Sequence, residues 1–218
     1  MTVNDKLAPV RTGVPSQELV RQLVERALDA LPAAEASVPS GPSRATAPSA
    51  GVPVPPPADL AKTVAVGADH GGYPLKQVLI KALTEKGYGV TDCGTSSTTA
   101  VDYPDFAHVV ARLIASGGCA VGIVIDGAGI GSAMAANKVP GVRAANAHDT
   151  SMARNAREHN YANVLTLGAR MIGEGLALEI VETFLATPWG ADRHGKRVAK
   201  ITEIEHGYSR PRPEDRPR

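Results

Sequence analysis

The side chains best suited to chemistry begin with a single junction. Val121–Ile125 is an apolar, largely β-branched run that ends in Asp126. Gly127, Gly129 and Gly131 follow in alternation, and Ser132–Lys138 is then fit to be a helix. Strand, tight glycine turn and helix start together point backbone N–H groups and a helix dipole at a small anion. A carboxylate at that junction is either a structural cap or a base. The glycine spacing departs from the dinucleotide fingerprint G-x-G-x-x-G, because Ser132 stands where the third glycine belongs. Asp149 does lie about twenty residues on, as that fingerprint asks. A nucleotide reading therefore stays open on the glycines alone.

Other polar groups sit where strands are expected to end. Ala68-Asp69-His70-Gly71-Gly72 follows the first strand, and Asp102-Tyr103-Pro104 comes after the second. Arg157-Glu158-His159-Asn160 precedes the fifth strand and Arg170 follows it. Arg193 and Arg197, four residues apart, share one face of the last helix. With Arg170 and the glycine-loop amides they form a candidate phosphate clamp, since guanidinium forks suit phosphate oxygens. Two histidines beside two carboxylates also raise a metal. No ligand pair such as H-x-x-x-H lies on one helical face, so no metal is expected.

The elements that must position these groups alternate from Thr63 to about Ile204. Candidate strands are Thr63–Gly67, Gly89–Asp92, Val121–Ile125, Val142–Asn146 and Val164–Leu167. Helical stretches are Pro74–Lys86, Phe106–Ala115, Ser132–Lys138, Thr150–Glu158, Glu174–Leu185 and Ala191–Ile204. Such a series predicts an α/β fold, a five-stranded parallel sheet with helices on both faces. Ligands of these sheets bind beyond the carboxyl ends of the strands, where the candidate groups are expected to converge.

Composition divides the chain further. Residues 1–31 hold an amphipathic segment, with Leu19, Val20, Leu23, Val24, Ala27, Leu28 and Leu31 on one stripe. Ser16 can cap its start and Pro32 ends it. Residues 32–62 read as a Pro/Ala/Ser-rich flexible linker, with eight prolines between Pro32 and Pro57. The α/β domain occupies 63–206, and 207–218 reads as a disordered tail. A net charge of +1 argues against bulk-charge binding of nucleic acid. Two cysteines are too few for a disulfide framework and fit a reducing cytoplasm. No apolar run is long enough to span a membrane, and no secretory leader is evident.

Several motifs in order carry a resemblance. Ala68-Asp69-His70-Gly71-Gly72-Tyr73-Pro74-Leu75-Lys76, Asp102-Tyr103-Pro104, Gly127-Ala128-Gly129-Ile130-Gly131, Ala135-Ala136-Asn137-Lys138, Arg157-Glu158-His159-Asn160 and Arg193-His194 with Arg197 resemble the ribose-5-phosphate isomerase B and galactose-6-phosphate isomerase family over about Val64–Glu205. The resemblance implies a Rossmann-like fold and a cofactor-free, metal-free aldose–ketose isomerase that works through an enediolate. It implies a homodimer or dimer of dimers whose sites use both subunits. His159 matches the ring-opening histidine. Asn160 and the loop Gly127, Ala128, Gly129, Ile130 and Gly131 match groups that hold the sugar and the enediolate oxygen. Asp69, His70 and Tyr103 match substrate contacts. Arg170, Arg193 and Arg197 match phosphate ligands, some from the partner subunit.

The chain departs from the family at the base. One branch has a cysteine at the position of Asp126 and another a glutamate at the position of Ser132, while Ala128 replaces a hydroxyl residue. The expectation is that Asp126 abstracts the proton, strengthened as a base by burial at an apolar strand end. The opposing effect is stabilisation of its charge by the same loop amides. A non-catalytic sugar-phosphate-binding or scaffolding relative, or an isomerase of a tetrose or hexose phosphate, is the alternative. Residues 16–31 with their linker resemble the encapsulation peptides of bacterial microcompartment cargo. That resemblance implies helix-in-groove docking on a shell or core protein, and a cytoplasmic enzyme held inside such a compartment.

Overall fold

The computed structural model describes residues 61–209 without a break, together with Pro53, Pro55, Pro56 and Ala58. The amphipathic segment 16–31, most of the linker 32–62 and the end of the chain from 210 lie outside the described residues. The elements run β1 (Thr63–Ala68), α1 (Tyr73–Glu85), β2 (Gly89–Asp92), α2 (Tyr103–Ala115), β3 (Val121–Asp126), α3 (Ile130–Ala136), β4 (Ala144–Asn146), α4 (Thr150–Asn160), β5 (Val164–Gly168), α5 (Glu174–Ala186) and α6 (Asp192–Ser209). All four strand pairings are parallel, in the spatial order β2-β1-β3-β5-β4.

Strand periodicity builds the two faces of the sheet. Val64, Val66 and Ala68 of β1 and Ile123 and Ile125 of β3 pack with Leu79 and Leu83 of α1, Ala153 and Ala156 of α4, and Ile180 and Phe184 of α5. Ala65 and Val124 point the other way, against Ala107, Val110, Ala111 and Ile114 of α2 and Ala136 of α3. Each fully buried Leu, Ile, Val or Phe contributes roughly 1.5–3 kcal/mol by leaving water. The chain winds outward from β1 to β2, then crosses to β3 on the far side of β1. The switch point between β1 and β3 is where such a sheet opens a crevice at its carboxyl edge.

Small departures from expectation have local causes. Helix α2 begins at Tyr103, three residues before the expected Phe106, with Asp102 at its N-cap in extended conformation and Pro104 in its first turn. Strand β4 is shorter than Val142–Asn146. The Val142 N–H donates into a turn to Val139 O, and the Arg143 N–H donates to the Asn163 side chain. Helix α6 continues through Ser209, so Gly207 and Tyr208 are helical and not part of a frayed tail. Among the described residues no helix is long and apolar enough to cross a membrane.

Candidate active site

At the carboxyl edge, Asp126 closes β3 with 5 % of its surface exposed. Its Oδ1 accepts hydrogen bonds from the N–H groups of Ala128 (2.7 Å) and Gly129. Its Oδ2 accepts from the N–H of Ser132 (3.1 Å) and from the Ser132 hydroxyl. The anion that these three amides hold, two from the loop and one from α3, is thus the chain's own carboxylate, which caps the start of α3. The N–H groups of Ile130 and Gly131, first in α3, make no backbone hydrogen bond within the described residues. They remain donors that a ligand at the turn could use.

The loop is held in shape from behind. Gly129 has φ +77°, and a Cβ there would lie 2.0 Å from Asn146 Nδ2. Asn146 Nδ2 donates to Ala128 O (3.3 Å), and the Thr166 hydroxyl donates to Gly129 O (2.7 Å). Sequence reasoning missed Asn146 and Thr166. A polar residue closing the fourth strand, and a hydroxyl inside an otherwise apolar fifth strand, were the available signals. Gly131 admits the Tyr103 ring, whose Cζ lies 2.5 Å from where a Cβ would stand. Arg170 follows β5, with its N–H on Gly127 O (3.1 Å) and its Cδ 3.7 Å from the Cβ position of Gly127.

The β1 end meets the same loop. The Asp69 N–H donates to Ile125 O (3.1 Å), and Asp69 Oδ1 accepts the Gly72 N–H (2.8 Å) to cap α1. His70 Nδ1 lies 3.2 Å from Val101 O and 3.3 Å from Val101 N, which ties its ring to the segment ahead of α2. Lys76 is fully buried, and its ammonium pairs with Asp92 at the end of β2. Asp69, His70, Tyr103, Asp126, the loop 127–131 and Arg170 therefore form one group.

His159, Asn160, Arg193 and Arg197 do not join it within one chain. Helix α4 starts beyond the carboxyl end of β4 and returns to the amino end of β5. Asn163 N donates to Arg143 O there (3.1 Å), and Ala144 pairs with Val164. Asp126 pairs with Gly168 at the opposite end. Four residue steps along β5 separate the two edges by roughly 13 Å. The expected convergence of all candidate residues at one sheet edge is thus corrected. A helix between parallel strands must return to the amino edge, and it carries its last residues with it.

At that second edge the groups are ordered. Asn155, which sequence reasoning also missed, donates through Nδ2 to His159 Nδ1 (2.9 Å) and accepts from Asn160 Nδ2 (3.3 Å). Its place four residues before His159 on one helix face was the signal. An amide donating to Nδ1 leaves the His159 proton on Nε2. The His159 and His194 rings stack with centroids 4.2 Å apart and planes 7° from parallel. Arg193 Nε donates to His194 Nε2 (3.0 Å). Burial holds the His194 imidazole below the usual range, reinforced by neighbouring His159, Arg193 and Arg197 and opposed by Glu158. Tyr161 stacks on Trp189 at 4.8 Å, and its hydroxyl donates to Gly190 O (2.7 Å), anchoring the segment that leads into α6. Arg157, pushed down to about 10 by burial and then by Arg143, still carries its charge and donates to Ala162 O and Thr187 O.

The cysteines stand apart from both groups. Burial, chiefly, pushes the Cys93 thiol up to about 12, and burial likewise raises Cys119. Both thiols are protonated at neutral pH and are poor nucleophiles.

A doubly wound α/β sheet with a carboxylate-capped glycine loop at its switch point, and a basic, histidine-bearing group at its other edge, defines a class of small-molecule enzyme scaffold. The chain belongs to the Ribose/Galactose Isomerase family, whose model matches residues 64–201. It is 44% identical over 151 residues to ribose-5-phosphate isomerase B of Mycobacterium tuberculosis, covering 68% of this chain and 93% of the relative. It is 42% identical over 144 residues to ribose-5-phosphate isomerase B of Escherichia coli, covering 66% of this chain and 97% of the relative. The solved structure of Clostridium thermocellum ribose-5-phosphate isomerase B is 51% identical, with a TM-score of 0.67 over 67% of this chain and 99% of that one.

Proposed function

We propose that this protein interconverts ribose 5-phosphate and ribulose 5-phosphate through an enediolate, without a cofactor. The observation that carries this reading is the carboxylate-capped glycine loop at the β1/β3 switch point, flanked by Asp69, His70, Tyr103 and Arg170. In this reading His159 relays a proton through Nε2 from the C1 hydroxyl to the ring oxygen as the bond from C1 to that oxygen breaks and the C1 carbonyl forms, so the sugar opens with no net change on the imidazole. Asp126 then takes the proton from C2, and the free N–H groups of Ile130 and Gly131 stabilise the enediolate oxygen. Asp69, His70, Tyr103 and Asn160 hold sugar hydroxyls, while Arg170, Arg193 and Arg197 bind the phosphate.

The working unit in this reading is a homodimer or dimer of dimers. One chain's two groups lie at opposite sheet edges, so a site containing Asp126 and His159 needs a partner copy to bring them together. Exposed Ile130 and Met134 of α3 and Met171 after β5 border the Asp126 group, a further support for a covering subunit. Purified protein given ribose 5-phosphate should form ribulose 5-phosphate with no added cofactor, and a panel of four- to six-carbon sugar phosphates ranks the substrates. No turnover on any of them refutes the reading.

The N-terminal segment is read as an encapsulation peptide that places the cytoplasmic enzyme inside a bacterial microcompartment. Its support is the stripe Leu19, Leu23, Val24 and Leu28 ahead of a Pro-rich stretch, and the start of the family match at residue 64, beyond both. Residues 1–57 fused to a fluorescent protein should collect in co-expressed shells, and Leu23→Glu should abolish this. Diffuse fluorescence with assembled shells overturns it.

A further inference from the structure

We propose that Ser132 is a positioning residue that governs the Asp126 base through its hydroxyl. The inference rests on the reading of Asp126 as the proton acceptor. Four donors surround that carboxylate, and they are not equivalent. Oδ1 accepts only from the backbone N–H groups of Ala128 and Gly129. These are fixed by the turn, and an N–H can donate but never accept. Oδ2 accepts from the Ser132 N–H, fixed by α3, and from the Ser132 hydroxyl. The hydroxyl is the one donor of the four that can turn away about a single bond, and the one that can also accept.

Oδ2 is therefore the oxygen on which a proton can arrive. In the step, the C2–H bond of the open aldose breaks and its proton bonds to Asp126 Oδ2. The electron pair left behind forms the C1–C2 double bond, and the carbonyl pair moves onto O1. As the Ser132 hydroxyl ceases to donate, it becomes an acceptor for the new Oδ2–H. The acid then returns the proton to C1, the hydroxyl proton passes from O2 to O1, and Ser132 resumes its donation. A proton on Oδ1 would instead face two N–H groups with no acceptor among them.

Ser132 is fully buried, so it reaches the sugar only through Asp126. Asp69 and His70 after β1, Tyr103 at the start of α2 and Arg170 after β5 are the titratable groups beside this loop, while Asp105, His108 and Arg112 lie further along α2. None of them donates to Asp126, and they are present alike in parent and variant. Removing the hydroxyl takes one donor from the charged carboxylate and leaves the other three. The charged form is then less favoured, and the base loses its proton only at higher pH.

The test is the pH dependence of kcat/KM on ribose 5-phosphate for parent, Ser132→Ala, Ser132→Thr and Asp126→Asn chains. Ser132→Ala should move the acidic limb upward by about one pH unit, because a hydrogen bond to a charged group is worth that much or more. KM at the plateau should stay within about twofold. Ser132→Thr, which keeps the hydroxyl, should return the limb toward its parental position. If the alanine protein does not fold, Ser132→Cys takes its place, with a smaller shift in the same direction. An acidic limb that stays put in a folded hydroxyl-free variant, while Asp126→Asn abolishes turnover, overturns the role of Ser132 alone. Full turnover in Asp126→Asn overturns the base assignment beneath it.

Discussion

Mixing an Asp126→Asn chain with a His159→Ala chain should return about a quarter of parental turnover, although each variant alone is nearly inactive. The two residues close opposite edges of the sheet, Asp126 opposite Gly168 and His159 just before the turn into Val164. About 13 Å of strand lies between them, beyond the reach of both to one sugar carbon and its ring oxygen. A site shared between subunits takes Asp126 from one chain and His159 from the other. After dissociation and random reassociation in equal amounts, half of the dimers are mixed. Each mixed dimer has one site with both lesions and one with none, so about a quarter of all sites are intact. The lone variants set the background, on the order of 10²–10⁴ below the parent for loss of a positioned acid or base. The assay is ribulose 5-phosphate formation by mixtures whose mixed-dimer content is verified by differently tagged chains. If mixed dimers form and turnover stays at the background, both groups serve one chain's site and the two-edge argument fails.

Gly72→Ala should cost about 1–3 kcal/mol or more in urea unfolding, because its Cβ would stand 2.3 Å from the Ile125 carbonyl oxygen, a backbone atom. Unchanged stability would show that the β1 and β3 ends are not packed as described. Arg197→Ala should raise KM for ribose 5-phosphate about tenfold or more while kcat changes less, as expected for a phosphate contact; an unchanged KM removes it from the clamp. His194 binds its proton less readily in the folded chain than in the unfolded one. Below about pH 6.5 the unfolded state then takes up more protons, so stability falls as pH drops. The melting temperature of the parent should decline more between pH 7.5 and 5.5 than that of His194→Phe, which keeps a stacking ring. Parallel declines would mean that His194 titrates normally.

Periodicity made the sheet legible. The alternating inward positions of β1 and β3 and the apolar runs of β5 left little choice of element, and the start expected for α2 at Phe106 fell within a turn of Tyr103. The motif residues were also legible as a set. What the linear pattern does not carry is which edge a residue reaches. His159 and Asn160 follow a strand–helix pair, and only the return of α4 to the amino edge separates them from Asp126. The junction offered Asp126 as cap or base and the spacing did not choose between them; the hydrogen bonds from Ala128, Gly129 and Ser132 show the carboxylate, two to six residues upstream, capping the turn. Asn146 and Thr166 act through contacts made across the fold, so no local spacing announces them, whereas Asn155 lies one helical turn before His159 and was within reach of the pattern.

The separation of the two groups has a kinetic consequence. On the shared-site reading, a single chain is two half-sites facing away from each other, and no motion of its own can close the gap. Below the dissociation constant of the dimer, activity should rise with the square of protein concentration and become proportional only above it. A newly made subunit is therefore silent until it meets a copy of itself. Confinement of many copies in a small volume would switch the population on without any change in the fold.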